Sequence, residues 1–175
     1  MIPRRIHLIG IGGIGLSAIA RVLIARGVQV SGSDLRASPL TYELTKLGAK
    51  IFIGQRAENI GDAQADLVLV TSAAHDDNPE VIEAKRRWIR VDKRYNFFTE
   101  LTAGKKTIAI AGTHGKTTTT GMIATILTSA GLDPDVIVGG IIPELNGNAR
   151  AGKGEYFVIE ADEYDRAFLG LRPNI

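Results

Sequence analysis

Gly112-Thr113-His114-Gly115-Lys116-Thr117-Thr118 follows an apolar run at 107–111 and precedes apolar residues at helical spacing over 122–127. This order predicts a strand, a tight loop and a helix. Backbone N–H groups in the first turn of a helix have no internal partners, and the helix dipole adds positive potential there. The stretch therefore predicts a phosphate-binding loop in the second half of the chain.

Two side chains of this loop suit nucleotide chemistry. Lys116 offers a mobile cation for β- and γ-phosphates, and the Thr117 hydroxyl suits Mg²⁺. The common pattern G-x-x-x-x-G-K-[ST] is only partly met, because its first glycine would fall at Ile110. We expect His114 to shape the turn or contact a phosphate rather than to act as a base. A glycine-rich turn with a surface lysine is the alternative.

A second glycine-rich stretch, Gly10-Ile11-Gly12-Gly13-Ile14-Gly15, follows an apolar strand pattern at 5–9. It satisfies G-x-G-x-x-G, and a helical pattern follows it as far as Gly27. A second strand, at 28–32, then leads to Asp34. This order is typical of dinucleotide-type folds and predicts binding of a nucleotide diphosphate without specifying the nucleotide. A tight turn that binds no ligand is the alternative.

Polar residues follow the apolar strand predicted at 65–70. Because ligands of open α/β sheets bind beyond the carboxyl ends of the strands, we expect Ser72 and His75 to meet the ligand of the first glycine-rich loop. The polar cluster at 76–79 is equally well explained as an ordinary helix N-terminus. We expect Trp88, at the end of the following helix, to pack against the protein interior.

A carboxylate also follows the apolar strand predicted at 155–159. Glu160 comes directly after it, at the position where nucleotide hydrolases and kinases hold Mg²⁺ beside a phosphate loop. Asp162 would lie on the same side of an extended chain, although a solvated helix start is the simpler interpretation for it. The polar stretch at 143–154 is predicted to be a long loop.

These patterns predict an α/β fold with two domains. A Rossmann-like parallel-sheet domain is expected over residues 1–104, and an incomplete P-loop α/β domain over residues 105–175. The boundary is placed at Gly104-Lys105-Lys106. About 70 residues is half or less of a typical domain, so we expect the chain to be a fragment of a longer protein.

The composition argues against several kinds of partner, chemistry and location. Twenty-one basic and nineteen acidic residues give a net charge of +2 without a basic run, so nucleic acid is not an expected partner. The chain has no cysteine, which excludes disulfides, thiolate catalysis and cysteine-ligated zinc. No apolar segment reaches membrane-spanning length and no signal peptide is visible, so neither a membrane partner nor secretion is expected and a cytoplasmic location is the default.

Two nucleotide-type loops in tandem resemble the Mur ligases, the amino-acid-adding enzymes of peptidoglycan synthesis. The resemblance covers essentially the whole chain, and its matching stretches are 10–15, 31–35, 77–80, 112–120 and 160–163. It implies that the first domain binds a UDP-sugar. Gly12, Gly13, Ile14 and Gly15 would approach the diphosphate, Asp34 the uridine, Ser72 and His75 the diphosphate or sugar, and Asn148 the muramoyl group.

The resemblance also implies an ATP site in the second domain. Its ATP-binding residues would be Gly112, Thr113, His114, Gly115, Lys116, Thr117 and Thr118. Lys116 and Glu160 would be catalytic, and Thr117 and Glu160 would bind Mg²⁺. The implied reaction is phosphorylation of the UDP-N-acetylmuramate carboxylate by ATP, followed by attack of the L-alanine amine. We expect the 175-residue chain to bind the UDP-sugar weakly and to have no ligase activity by itself.

Other functions stay open at this point. Family members that recycle a murein tripeptide share the motif at 160–165, although the double glycine at 12–13 favours L-alanine addition. An NAD(P)-dependent oxidoreductase would leave the second loop unexplained, and a GTPase or ATP-driven switch would leave the first unexplained. A non-catalytic module that binds sugar nucleotides would use the first loop alone.

Overall fold

The structure, a computed structural model, describes residues 2–71, 74–145, 147–161 and 168–175. It forms two compact units, Met1–Arg94 and Tyr95–Ile175. Helix α5 (Arg94–Leu101) follows the last strand of the first unit. It is tied into the second unit by Thr99, whose hydroxyl donates a hydrogen bond to the Gly170 carbonyl at 2.7 Å. The division between the compact units thus precedes the domain boundary predicted at 104/105, which stays a prediction.

The first unit alternates strands and helices. Its elements are β1 (Arg5–Ile9), α1 (Ile14–Ala25), β2 (Gln29–Asp34), α2 (Pro39–Lys46), β3 (Lys50–Ile53), α3 (Ala57–Ala63), β4 (Leu67–Val70), α4 (Pro79–Arg86) and β5 (Arg90–Lys93). The five strands form one sheet in the order β3-β2-β1-β4-β5, and every pairing is parallel. This topology confirms the predicted Rossmann-like sheet.

The central strands of this sheet carry its core. All four residues of β4 are buried, as are Ile6, Leu8 and Ile9 of β1. Continuous apolar strands of this kind are expected where helices cover both faces of a parallel sheet. Because β1, β2 and β4 are parallel neighbours, the loops that follow them lie at one edge of the sheet.

The loop after β1 is held by the end of β2. Gly10 has a φ of +84°, a conformation that favours glycine, and its N–H donates to the Ser33 carbonyl at 2.8 Å. The Ile11 N–H donates to the same carbonyl at 3.1 Å. A Cβ at Gly32 would lie 2.6 Å from both Ile11 and the Leu8 carbonyl. Glycine at position 32 therefore lets the loop lie directly against β2.

The second unit contains a four-stranded sheet. Its elements are β6 (Lys106–Ile110), α6 (Lys116–Ser129), β7 (Asp135–Ile142), a 3₁₀ turn (Pro143–Leu145), β8 (Gly147–Arg150) and β9 (Tyr156–Glu160). The strand order is β6-β9-β7-β8; β9 pairs in parallel with β6 and β7, and β8 pairs antiparallel with β7. The strand, loop and helix predicted around 112–118 are confirmed.

Two local expectations were wrong, and one helix was not predicted. The stretch 143–154 is not one long loop, because β8 pairs with β7 despite its sequence Gly-Asn-Ala-Arg, which has little strand propensity. Helix α3 was not predicted, since its seven residues carry only a short apolar pattern. Trp88 does not pack inside: its side chain is 95% exposed, just after the C-terminus of α4, with a φ of +58°.

Helices long and apolar enough to cross a membrane do not occur among the described residues.

Candidate nucleotide-binding sites

A pocket of about 470 Å³ lies at the carboxyl ends of the central strands in the first unit. The residues that line it include Gly10, Asp34, Gln55, Thr71, His75 and Asn78. Asp34 ends β2 and the others follow β1, β3 and β4, so the parallel topology brings them together from distant parts of the sequence. This is the edge at which open α/β sheets bind their ligands.

Asp34 holds the first glycine-rich loop. Its Oδ2 accepts a hydrogen bond from the Gly12 N–H at 2.9 Å, and its Oδ1 accepts one from the Arg36 N–H at 3.4 Å. A Cβ at Gly12 would lie 2.8 Å from Asp34 Oδ2 and 3.0 Å from Thr41 Cγ2. Asp34 therefore fixes the loop itself, while its predicted contact with uridine stays a prediction.

The remaining loop residues begin helix α1. The Gly13 carbonyl accepts the Ser17 N–H at 2.9 Å, and both Gly13 and Ile14 are exposed at the start of the helix. A Cβ at Gly15 would collide with the guanidinium group of Arg94. The third glycine of the motif thus leaves room for a cation beside the loop. The sequence did not single out Arg94, because it stands in no motif and is distant from Gly15 along the chain.

The loop after β4 supplies the opposite wall of the pocket. Asn78 caps helix α4, since its Oδ1 accepts the Glu80 N–H at 2.9 Å and the Val81 N–H at 3.4 Å. Its Nδ2 donates to Gln55 Oε1 at 2.7 Å. His75 is exposed and lines the pocket, and its predicted contact with the ligand stays a prediction. Ser72 lies outside the described residues.

The second candidate site is the loop before α6. Gly115, with a φ of +78°, is the N-cap of that helix, and the Thr119 N–H donates to its carbonyl at 2.9 Å. Lys116 Nζ donates to the Gly112 carbonyl at 2.7 Å, so the ammonium group lies over the loop. Thr113 and His114 are exposed between these residues. The loop thus presents backbone N–H groups and a lysine at one helix N-terminus.

Glu160 lies beside this loop. Its register opposite Ile110 places it at the carboxyl end of the strand next to β6. The Thr117 hydroxyl donates to Glu160 Oε2 at 3.0 Å and lies 3.2 Å from Oε1. The Gly139 N–H donates to Oε2 at 2.8 Å and so helps to orient the carboxylate. The structure thereby joins two residues predicted from stretches more than forty positions apart.

These two side chains suit a hard divalent cation. A hydroxyl and a carboxylate oxygen are ligands that Mg²⁺ accepts, usually together with phosphate and water oxygens. The described residues contain no group of three or more His, Asp or Glu side chains that could hold a metal alone. Thr117 and Glu160 could supply two oxygen ligands to such a cation, and their predicted role in Mg²⁺ binding stays a prediction.

Asn148 and Asp162 were also named from the sequence as candidate site residues. Asn148 is fully buried in β8 rather than placed in a loop, and its role near a muramoyl group stays a prediction. Asp162 lies outside the described residues. Sequence reasoning also missed Gly139, because its contribution is a backbone N–H group and carries no side-chain signal.

Comparison with known proteins identifies similar sequences. The model of the Mur ligase family, catalytic domain, matches residues 5–106. A protein of Geobacter sp. (strain M21), named UDP-N-acetylmuramate–L-alanine ligase, is 54% identical over 171 residues, which cover 98% of this chain and 37% of that protein. A protein of the same name from Myxococcus xanthus is 51% identical and is covered to 36%. The chain thus spans little more than a third of the length of these relatives.

Two solved structures of ligases are also similar to this chain. The UDP-N-acetylmuramate-alanine ligase of Thermotoga maritima is 39% identical, with a TM-score of 0.88 over 97% of this chain and 40% of its own. The UDP-N-acetylmuramate:L-alanyl-gamma-D-glutamyl-meso-diaminopimelate ligase of Neisseria meningitides is 30% identical, also with a TM-score of 0.88, over 98% of this chain and 59% of its own.

Proposed function

The chain belongs to the Mur ligase family, and we propose that it serves the ATP-dependent ligation of L-alanine to UDP-N-acetylmuramate. The first unit would bind the sugar nucleotide and the second would bind ATP with Mg²⁺. The observation that carries the proposal is the contact between Thr117 and Glu160 at the start of a phosphate-binding helix. Relatives that are more than half identical and carry this ligase name support the same activity.

The chemistry of the reaction suits this arrangement. A carboxylate is a poor electrophile at neutral pH, so the muramoyl carboxylate oxygen would first attack the γ-phosphorus of ATP, breaking the bond to the β-phosphate oxygen and releasing ADP. The L-alanine amine would then attack the acyl carbon. The carbon–oxygen bond to phosphate would break, the nitrogen would lose a proton, and an amide and inorganic phosphate would result.

Phosphoryl transfer depends mainly on positioning and charge stabilisation. The N–H groups at the start of α6 and the Lys116 ammonium would hold the β- and γ-phosphates. Bound Mg²⁺ would offset the negative charge that develops on the phosphate oxygens. Thr117 and Glu160 would hold that ion, and the Gly139 N–H would keep the carboxylate in place.

In the first unit, the pocket beside Asp34 and His75 would take the sugar nucleotide. The N-terminus of α1 would lie near the diphosphate, and Arg94 supplies a cation beside Gly15. Addition of a tripeptide instead of L-alanine is the second candidate, because the Neisseria UDP-N-acetylmuramate:L-alanyl-gamma-D-glutamyl-meso-diaminopimelate ligase has the same fold and is 30% identical.

Calorimetry on the 175-residue chain tests the binding half of the proposal. We expect saturable binding of UDP-N-acetylmuramate and no binding of NAD⁺ or NADP⁺. Amide formation by the complete enzyme tests the reaction, with ATP, UDP-N-acetylmuramate and either L-alanine or the tripeptide. Turnover with L-alanine is the expected result, whereas turnover with the tripeptide alone would favour the recycling activity.

A further inference from the structure

A charged side chain lies buried beneath the pocket of the first unit. Glu80, in the first turn of α4, is 0% exposed. Its Oε2 accepts the Ser33 hydroxyl at 2.5 Å, and its Oε1 accepts Asn59 Nδ2 at 2.6 Å. His7 Nε2 lies 3.5 Å from Oε1, and His7 Nδ1 lies 3.0 Å from the Ser31 hydroxyl. We call these five residues the Glu80 cluster.

A buried carboxylate is unfavourable unless several donors surround it. Burial alone would raise the pKa of Glu80, but the nearby His7 ring and the hydrogen bonds from Ser33 and Asn59 outweigh it and hold the pKa below its usual value. The carboxylate is therefore ionised at neutral pH. An apolar residue would fill the same space without needing hydrogen-bond donors. What the carboxylate adds is its set of hydrogen bonds to residues of other segments.

Two partners of Glu80, Ser33 and Asn59, connect it to walls of the pocket. The Ser33 carbonyl accepts the N–H groups of Gly10 and Ile11, the start of the glycine-rich loop. Asn59 also donates to the Gly54 carbonyl at 3.0 Å, and the Gly54 N–H donates to the Asp34 carbonyl at 2.8 Å. One carboxylate thus connects the β1–α1 loop and the end of β2.

The third wall belongs to helix α4 itself. The Glu80 N–H donates to the side chain of Asn78, which lines the pocket together with Pro79. Because Asn78 also donates to Gln55, the position of the helix start determines where these polar groups stand. Through its hydrogen bond with Ser33 of β2, the Glu80 carboxylate holds the start of α4 against the sheet.

We propose that Glu80 is a positioning residue for sugar-nucleotide binding, which sets the spacing between the glycine-rich loop, the end of β2 and the start of α4. The inference rests on the proposed function, since the ligand is the sugar nucleotide of that proposal. Glu80 itself is buried and acts through Ser33, Asn59 and Asn78.

The test is the substitution Glu80→Gln, which keeps the shape of the side chain but replaces one acceptor oxygen with an NH₂ group. Turned towards Asn59, that group would face another NH₂ donor, and turned towards Ser33, it would make the hydroxyl an acceptor instead of a donor; either way the charge-assisted contacts that hold the walls are lost. We expect the dissociation constant for UDP-N-acetylmuramate, measured by calorimetry on the 175-residue chain, to rise at least tenfold. Glu83→Gln in the same helix is the matched control, because the partners of Glu83 are the exposed Arg86 and Arg87 rather than residues of the pocket, and it should stay within twofold of the unchanged chain.

A second control distinguishes a positioning role in binding from a general loss of stability. Val22→Ala removes two methyl groups from a fully buried position in α1, a helix that contains no member of the Glu80 cluster. All variants are measured at a temperature at which thermal melts show them folded. Weaker binding in Glu80→Gln with unchanged binding in Val22→Ala supports the inference, and an equal loss in both overturns it. If Glu80→Gln does not fold, Ser33→Ala takes its place with the same two outcomes.

The two proposals fail in different ways. If the unchanged chain does not bind UDP-N-acetylmuramate, both the proposed function and the inference about Glu80 are wrong. If the unchanged chain binds and Glu80→Gln binds equally well, only the inference is overturned.

Discussion

The hydroxyl of Thr117 donates a hydrogen bond to the carboxylate of Glu160 at 3.0 Å. One residue belongs to the first turn of α6 and the other ends β9, so the contact depends on the parallel pairing of β6 and β9. The same carboxylate accepts the Gly139 N–H. A backbone donor and a side-chain donor thus hold Glu160 in one orientation beside the loop.

Substitution of Glu160 by Gln should weaken the response of ATP binding to Mg²⁺. The amide is a poorer ligand for a hard cation, and a lost charge-assisted contact of this kind costs about 1.5–3 kcal/mol, or roughly ten- to hundredfold in affinity. Calorimetry with ATP at several Mg²⁺ concentrations measures the effect. Glu155→Gln is the control, because Glu155 forms an exposed ion pair with Lys106. Equal Mg²⁺ dependence in both variants would contradict the assignment.

Replacement of Lys116 by Met should reduce ATP affinity without reducing UDP-N-acetylmuramate affinity. Lys116 would contact the phosphates of ATP, and the loss of a charge-assisted hydrogen bond costs about 1.5–3 kcal/mol. Titration of each ligand in turn separates the two effects. Lys106→Met provides the comparison, since that lysine is exposed and pairs with Glu155. A parallel loss of both ligands in Lys116→Met would show that the substitution had damaged the fold instead.

The two loops could be predicted from the sequence because each is a contiguous pattern. The strand β1 was predicted with its observed bounds, and the loop at 112–118 was predicted between a strand and a helix. In both cases the apolar period changes from strand to helix at a glycine. Local information of this type is sufficient when backbone groups of one short segment make the site.

Contacts between distant segments could not be predicted in the same way. Arg94 reaches Gly15, and Glu80 reaches Ser33 and Asn59, only because the parallel sheet aligns the ends of its strands. Trp88 was expected inside because it is large and apolar, yet nothing in the local pattern shows that the helix ends before it. Strand β8 is specified by its partner β7 rather than by its own residues.

Alanine substitutions at neighbouring glycines should have unequal effects. A Cβ at Gly12 would lie 2.8 Å from Asp34 Oδ2 and 3.0 Å from Thr41 Cγ2, so Gly12→Ala must displace the loop at a cost of about 1–3 kcal/mol. The nearest atom to a Cβ at Gly13 is the Gly10 carbonyl oxygen at 3.3 Å, which requires a smaller adjustment.

Urea denaturation measures the free energy of unfolding of both alanine variants, and calorimetry measures their affinity for the UDP-sugar. We expect Gly12→Ala to lose more of both than Gly13→Ala. The reverse order would show that Asp34 does not hold the loop.

The stability contributed by Glu80 should depend on pH in a defined direction. Hydrogen bonds to the buried carboxylate hold its pKa below the ordinary value of 4.5 in the folded chain. A carboxyl group with a lowered folded pKa binds protons more tightly when unfolded, so its contribution is fully present above the unfolded pKa and is lost as pH falls through the folded pKa.

The free energy of unfolding of the unchanged chain should therefore exceed that of Glu80→Gln most at neutral pH, and the difference should shrink below about pH 4.5. Urea denaturation of both chains from pH 7 to pH 3 tests this expectation. A constant difference over that range would mean that the stabilising contacts of Glu80 do not require its charge.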